Sequence, residues 1–208
     1  GIPNIKDLDS VLETMEWGKW LTERMEKYVT GVFSWIFSNP TNVNLKEGMV
    51  VFSVRDLDEI LRPIAMFIVL NYVWNIARSS EQKRMMVVDE AWHIMQYEDS
   101  AKFLFWLVKR ARKYNLAITT ITQDVEDFMQ SSYGKAIVTN SSIQLLLKQS
   151  PASIDVLQDV FKLTDQEKYI LLNASVGTGL FFAWGEHVGI QVLSSFFEQN
   201  IIDTKMKK

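Results

Sequence analysis

A chain of 208 residues, 48% hydrophobic and 23% charged, can bury one sizeable core, with room for a small appendage. A net charge of −3 excludes a global basic field that would gather nucleic acid or anionic membrane, though not a local basic patch. The absence of cysteine excludes a disulfide framework and a thiolate site, and fits a cytoplasmic protein. The most apolar run, Pro63 to Ala77, is shorter than the ~20 residues a membrane span needs and is interrupted by Asn71 and Asn75. The opening Gly1-Ile2-Pro3-Asn4 has no signal-peptide pattern.

Asp7 or Asp9-Ser10 is placed to cap a first helix, with Glu13 in its opening turn. Leu8, Val11, Leu12, Met15, Leu21, Met25 and Tyr28 keep roughly helical spacing, and a second helical piece runs from Val29 to Phe37, ahead of Pro40. Residues 1–38 therefore read as a small helical unit, residues 39–203 as the main domain, and 204–208 as a tail, where Lys205, Lys207 and Lys208 are expected to fray. Thr41 to Gly48 reads as a polar loop and Met49 to Val54 as a short strand. Asp56 is placed to cap a long helix from Leu57 to about Arg78, with Pro63 tolerated in the first turn or at a kink.

Met85-Met86-Val87-Val88 then runs straight into Asp89-Glu90. A continuous apolar run reads as a parallel strand covered on both faces, so acids belong only at its end. Ligands of open α/β sheets sit outside the carboxyl ends of the strands, which sets Asp89 and Glu90 at the crevice. This is the shape of a Walker B strand, with an Asp for Mg²⁺ and a Glu for the attacking water. The competing reading is plain: carboxylates also favour the first turn of a following helix.

Ala91 to Tyr97 reads as a loop or short helical turn. Glu98-Asp99-Ser100 caps a helix over Ala101 to Tyr114, whose Phe103, Leu104, Leu107, Val108 and Ala111 form one apolar face. Asn115 suits a left-handed stop, and Leu116 to Thr122 is the next strand. Strand, helix and strand within about 35 residues make a βαβ unit with parallel strands. That brings Gln123, at the second strand's end, beside Asp89 and Glu90. A helix over Ser132 to Asn140, a strand over Ile143 to Lys148, and helices over Asp155 to Phe161 and Thr164 to Asn173 follow, the last with a Thr164/Glu167 capping box. Strands over Leu180 to Trp184 and Val188 to Leu193, joined at Gly185-Glu186-His187, make a hairpin.

Gln123 can hydrogen-bond a γ-phosphate or an attacking water; it can equally be a polar residue starting a helix. Lys109, Arg110, Arg112 and Lys113 complement a helix C-terminus, or supply an arginine finger to a neighbouring subunit, or touch DNA phosphates. His93 and His187 have no ligand-spaced companions, so no zinc site is assigned. The chain contains no G-x-x-x-x-G-K-[ST]; Gly18-Lys19 and Gly134-Lys135 each lack the second glycine and the hydroxyl residue. Without that phosphate cradle the chain alone is expected not to bind ATP tightly.

The ordered series MMVVDEAWHIM, KRARKYNLAITTITQDVEDF, LLLKQSPASIDVL and GTGLFFAWGEHVGIQVLSS resembles the VirB-four/TraC ATPases of type IV secretion and conjugation, members of the HerA–FtsK group of hexameric P-loop motors. The likeness runs from about Asn39 to Asp203, and the helical opening is similar to the all-α insertion of that family. The resemblance implies an α/β fold: a RecA-like P-loop NTPase core with a mainly parallel sheet flanked by helices, plus the small helical N-terminal unit. At matching positions it implies Asp89 for Mg²⁺ through water, Glu90 for the attacking water, Gln123 as the sensor of the phosphate, and Arg112, with Arg110 second, as a trans-acting arginine. Lys148 and Gln149 fall in a later motif near the nucleotide edge. It also implies ATP and Mg²⁺ as cofactors in an intact parent, a hexamer, and other type IV secretion components as partners. DNA or protein would be the cargo, and the location peripheral to the inner face of the bacterial membrane, with no transmembrane segment in this chain. The family's Walker A loop lies upstream of these motifs, so the chain is expected to be a C-terminal fragment, itself inactive. Two alternatives stay open: a non-hydrolytic docking or oligomerisation module, and a DNA-translocating motor of the coupling-protein kind.

Overall fold

In the computed structural model, which describes residues 3–37, 39, 48–79, 81–123 and 125–202, the chain divides into two units, residues 1–52 and 53–208. The first unit begins with α1 (Ile5–Glu13), and its cap is Asn4 rather than Asp7 or Asp9. The Asn4 side chain accepts from the Lys6 N–H (2.8 Å), while Asp7 accepts from the Asn4 N–H (2.7 Å), so two free donors are satisfied reciprocally. Glu13 consequently ends α1 instead of opening it. α2 spans Lys19–Val29 and α3 spans Ser34–Phe37. The second helical piece thus starts five residues later than its apolar pattern suggests, after a turn through Thr30 and Gly31. Tyr28 ties α2 to α3, stacking on Phe33 and meeting Phe37 edge-on.

Met49 to Val54 forms no strand. The run straddles the boundary between the two units, and its Met49 and Val51 are exposed. The polar loop expected over 41–47 lies outside the described residues. α4 spans Arg62–Ser79, five residues shorter at its start than expected. Asp58, not Asp56, turns the chain there: its carboxylate accepts from the Ile60 N–H, and its carbonyl from the N–H groups of Leu61 and Arg62. Pro63 falls in the first turn, where its missing N–H is no loss.

β1 (Arg84–Val88) pairs in parallel with β2 (Leu116–Thr120), from Arg84 opposite Leu116 to Val88 opposite Thr120. Between them run α5 (Trp92–Met95), α6 (Glu98–Ala111) and one 3-10 turn (Arg112–Tyr114). α6 starts at Glu98, so Glu98 and Asp99 lie in its first turn, where carboxylates favour the helix dipole, rather than ahead of it. Asn115 makes the left-handed stop, with φ +54°. α6 is the pillar of the unit. Leu104 packs in one buried cluster with Leu70, Ile94, Phe128, Met129 and Ile137, and Leu107 packs in another with Trp74, Ala77 and Leu116.

The β1–β2 pair is covered on one face only. Met86, Val88 and Ile118 pack on the core, whereas Met85 (70% exposed), Val87 (55%), Ala117, Thr119 and Ile121 stay open, contrary to the expectation of a strand buried on both faces. A continuous apolar run cannot distinguish a covered face from one that lacks its covering layer among the described residues.

α7 (Val125–Gln130), not foreseen, and α8 (Ser132–Asn140) follow. β3 (Ile143–Leu146), β4 (Thr178–Ala183) and β5 (Glu186–Gln191) form an antiparallel sheet in the order β3-β4-β5. α9 (Ile154–Phe161) and α10 (Asp165–Asn173) supply its core, with Leu157 and Leu171 fully buried against Leu146 and Leu180. The β4–β5 turn is Trp184-Gly185, both at positive φ, the geometry that fits the twist of a two-residue hairpin. Glu186 and His187, expected in the turn, therefore belong to β5. α11 (Phe196–Ile202) ends the described chain, and the lysine tail lies beyond it. No helix among the described residues is long and apolar enough to cross a membrane.

Candidate functional site

The in-register pairing of β1 and β2 makes their carboxyl ends coincide. The Ile121 N–H donates to the Val88 carbonyl (2.9 Å), and the Ala91 N–H donates back to the Ile121 carbonyl (2.8 Å). Asp89 and Glu90 must turn between these two anchors. Glu90 does so at φ +48°, a left-handed conformation that costs a residue with a side chain roughly 1–2 kcal/mol. Such strain persists only where the surroundings over-determine it. Here they do: the Glu90 N–H donates to Asp89 Oδ1 (3.0 Å), and its carbonyl accepts from the His93 N–H (3.0 Å).

The Glu90 carboxylate is held at both oxygens. Gln123 Nε2 donates to Oε1 (2.6 Å), and the Trp92 indole Nε1 donates to Oε2 (2.8 Å). A residue 33 positions away thus meets Glu90, as the βαβ reading requires. Hydrogen bonds to an ionised acceptor are the strong ones, so the pair fixes the carboxylate's orientation. Gln123 is exposed and Glu90 half-buried, which leaves the group open to a ligand. Asp89 is exposed; one oxygen accepts from the Glu90 N–H, and the other has no hydrogen-bond partner among the described residues. That free oxygen fits a cation held through water. No group of three or more Asp, Glu or His among the described residues could hold a metal by protein ligands alone. The residues present therefore fit Mg²⁺ shared with phosphate and water, not a closed metal cage.

The arginines lie elsewhere. Arg112 opens the 3-10 turn ahead of β2, at the strand's amino end, while Gln123 lies past its carboxyl end. Five residues of strand put roughly 17 Å between those edges, too far for Arg112 to reach the site of its own chain. The Arg110 guanidinium lies over the Trp106 ring, 4.2 Å from its centroid. Lys148 and Gln149 follow β3, in the other sheet. The Gln149 N–H donates to the Leu171 carbonyl and its side chain to the Leu147 carbonyl, and neither residue is hydrogen-bonded to Asp89, Glu90 or Gln123 among the described residues. Trp92 was missed by sequence reasoning; its position two residues after the Glu was the available signal.

A family profile for the TraG P-loop domain matches residues 12–178. The chain belongs to the TraG P-loop domain family. Its fold is shared with the structure of VirB4 of Thermoanaerobacter pseudethanolicus, at a TM-score of 0.82 and 28% identity, covering 96% of this chain and 58% of that one. Among curated relatives, the type IV secretion system protein virB4 of Bartonella quintana is 24% identical over 149 residues, which is 69% of this chain and 19% of the relative. Protein TraC of Escherichia coli K12 is 31% identical over 113 residues, 49% of this chain and 13% of TraC. The chain is thus similar to VirB4 and TraC proteins, and it spans less than a fifth of the length of the virB4 relatives it matches.

Proposed function

We propose that this chain supplies the Walker B half of the ATP-hydrolysing site of a type IV secretion or conjugative transfer motor. The observation that carries the reading is the meeting of Glu90 and Gln123 at the coincident ends of two parallel strands, with Asp89 beside them. Asp89 would hold Mg²⁺ through water. That ion, when bound, neutralises charge on the phosphates. Glu90 accepts hydrogen bonds at both oxygens and so stays aligned to polarise a water. Gln123, exposed and bonded to Glu90, can exchange that partner for the γ-phosphate or the water and so report the nucleotide's state. Arg112, on the far edge of the sheet, would act only across a subunit boundary, which fits a homo-hexamer. Lys148 and Gln149, just past β3, would lie near the nucleotide's edge.

The motor would work with other secretion components at the inner face of the cell membrane, moving DNA or protein or building a pilus. The phosphate cradle is not in this sequence, so the chain by itself is inactive. Mg-ATP binding, measured by calorimetry, should be absent for this chain and present for a polypeptide that joins it to a phosphate-binding loop upstream. Binding by neither would remove the proposal. A second reading, a docking module for a secretion partner, draws on the exposed Trp17, Trp20 and Trp35 of the helical unit. Failure of both forms to bind nucleotide would favour it.

A further inference from the structure

We infer that Trp92 is a positioning residue of this site, whose indole N–H fixes one oxygen of Glu90 and leaves the other as the working oxygen. The inference rests on the reading of Glu90 as the water-polarising group. The two donors on the carboxylate differ in kind. Trp92 opens α5, and the next two residues after His93, Ile94 and Met95, are buried in the main core cluster, against which the Trp92 ring also packs. The ring stacks on His93, with centroids 3.7 Å apart. Trp92 is thus held from two sides and cannot readily swing away from Oε2, 2.8 Å from its Nε1. Gln123, by contrast, is exposed, on a non-helical stretch past the end of β2. Its bond to Oε1 is the exchangeable one.

The chemistry separates them in the same way. An indole N–H only donates, so it can hold a carboxylate without competing as an acceptor for a proton from water. A glutamine amide both donates and accepts, so it can turn to a phosphate or a water instead. With Oε2 anchored, rotation of the Glu90 carboxylate is blocked, and Oε1 faces whatever takes the place of Gln123. The left-handed backbone at Glu90 sets the side chain's starting direction, and Trp92 sets its final one.

The first test uses this chain and needs no nucleotide. In a proton–nitrogen correlation spectrum, the Trp92 indole resonance, identified by its loss in Trp92→Phe, should lie downfield of packed-only indoles. It should move upfield in Glu90→Gln, because the charged acceptor becomes neutral. A resonance unmoved by Glu90→Gln would overturn the inference, since a purely packing tryptophan would behave that way. The second test uses a polypeptide that joins this chain to a phosphate-binding loop. Trp92→Phe keeps an aromatic ring but removes the donor together with the indole's second ring, so its melting temperature is measured alongside turnover to separate lost packing from the lost donor. It should lower kcat by about tenfold or more while KM for ATP stays within about twofold. Turnover lost in Glu90→Gln but untouched in Trp92→Phe would overturn the role of Trp92 alone. Turnover surviving Glu90→Gln would overturn the reading of Glu90 on which it rests.

Discussion

Gly134 sets two well-known effects against each other, and the structure decides between them. It is the third residue of α8, and alanine in a helix is favoured over glycine by about 1 kcal/mol. A Cβ added at Gly134, however, would lie 1.9 Å from the Phe128 carbonyl oxygen, 3.0 Å from its carbonyl carbon and 3.2 Å from the Phe128 ring. Contacts under 3.0 Å do not occur, so α8 must retreat from α7 by at least about 1 Å. The obstacle is backbone, not the end of a flexible side chain. The retreat would pull Ile137 out of the cluster it shares with Leu104 and Phe128. Overpacking of this kind costs about 1–3 kcal/mol, occasionally more. Gly134→Ala should therefore lose up to about 2 kcal/mol net once the helix gain of about 1 kcal/mol is subtracted, and the melting temperature should fall by up to about 8 °C. Urea unfolding followed by circular dichroism should show a lower midpoint at unchanged slope. Gly189→Ala is the control: no atom lies within 4 Å of its Cβ, so it should be neutral or slightly stabilising. A Gly134→Ala protein more stable than the parent by the helix gain of about 1 kcal/mol would refute the close approach of α7 and α8.

The Thr164 N–H, 2.8 Å from Glu167 Oε2, holds the Glu167 carboxyl below its ordinary value of 4.5; partial burial opposes this, while the Thr164 hydroxyl and His187 reinforce it. A carboxyl depressed in the folded state contributes stability that is fully present above its ordinary value and is lost as pH falls through its depressed folded value. Glu167→Gln should thus be destabilised at neutral pH by urea titration, and the gap should narrow as the pH falls from 4.5 through the lower value the folded state imposes. An equal gap at neutral pH and below that value would contradict the cap. Asn115→Ala removes both a side chain suited to φ +54° and the bond from its Nδ2 to the Glu81 carbonyl, so it should lose about 1–2 kcal/mol, whereas Asn115→Gly should lose less. Equal losses in the two variants would mean the backbone conformation carries no cost.

The heart of the site could be read from the sequence because each step was local. An apolar run ending in Asp89-Glu90, an amphipathic α6, and a second strand ending before Gln123 suffice to bring the two ends together, and the carboxylate–amide bond is where that reasoning puts it. The turn chemistry was legible for the same reason at Asn115 and at the Thr164/Glu167 cap. What escaped depended on context. Met49 to Val54 has a strand's composition but no partner strand among the described residues, and composition cannot supply one. α7 begins only two residues past Gln123 and spans six residues, too few for a helical period to register. Asn4 outcompeted Asp7 as a cap because the two cooperate, which single-residue scanning overlooks. Trp92 was hidden because an indole beside an apolar run reads as core, and its one polar atom matters only once Glu90 turns left-handed.

The most direct test of the central claim is ATP turnover by Glu90→Gln in a polypeptide carrying both this chain and a phosphate-binding loop, with nucleotide binding measured on the same sample. Binding retained and turnover lost is the predicted result, because Gln at position 90 keeps the shape of the site but cannot polarise water as a carboxylate does. Turnover within a few-fold of the parent would contradict the assignment and leave Asp89-Glu90 as the polar end of a structural strand.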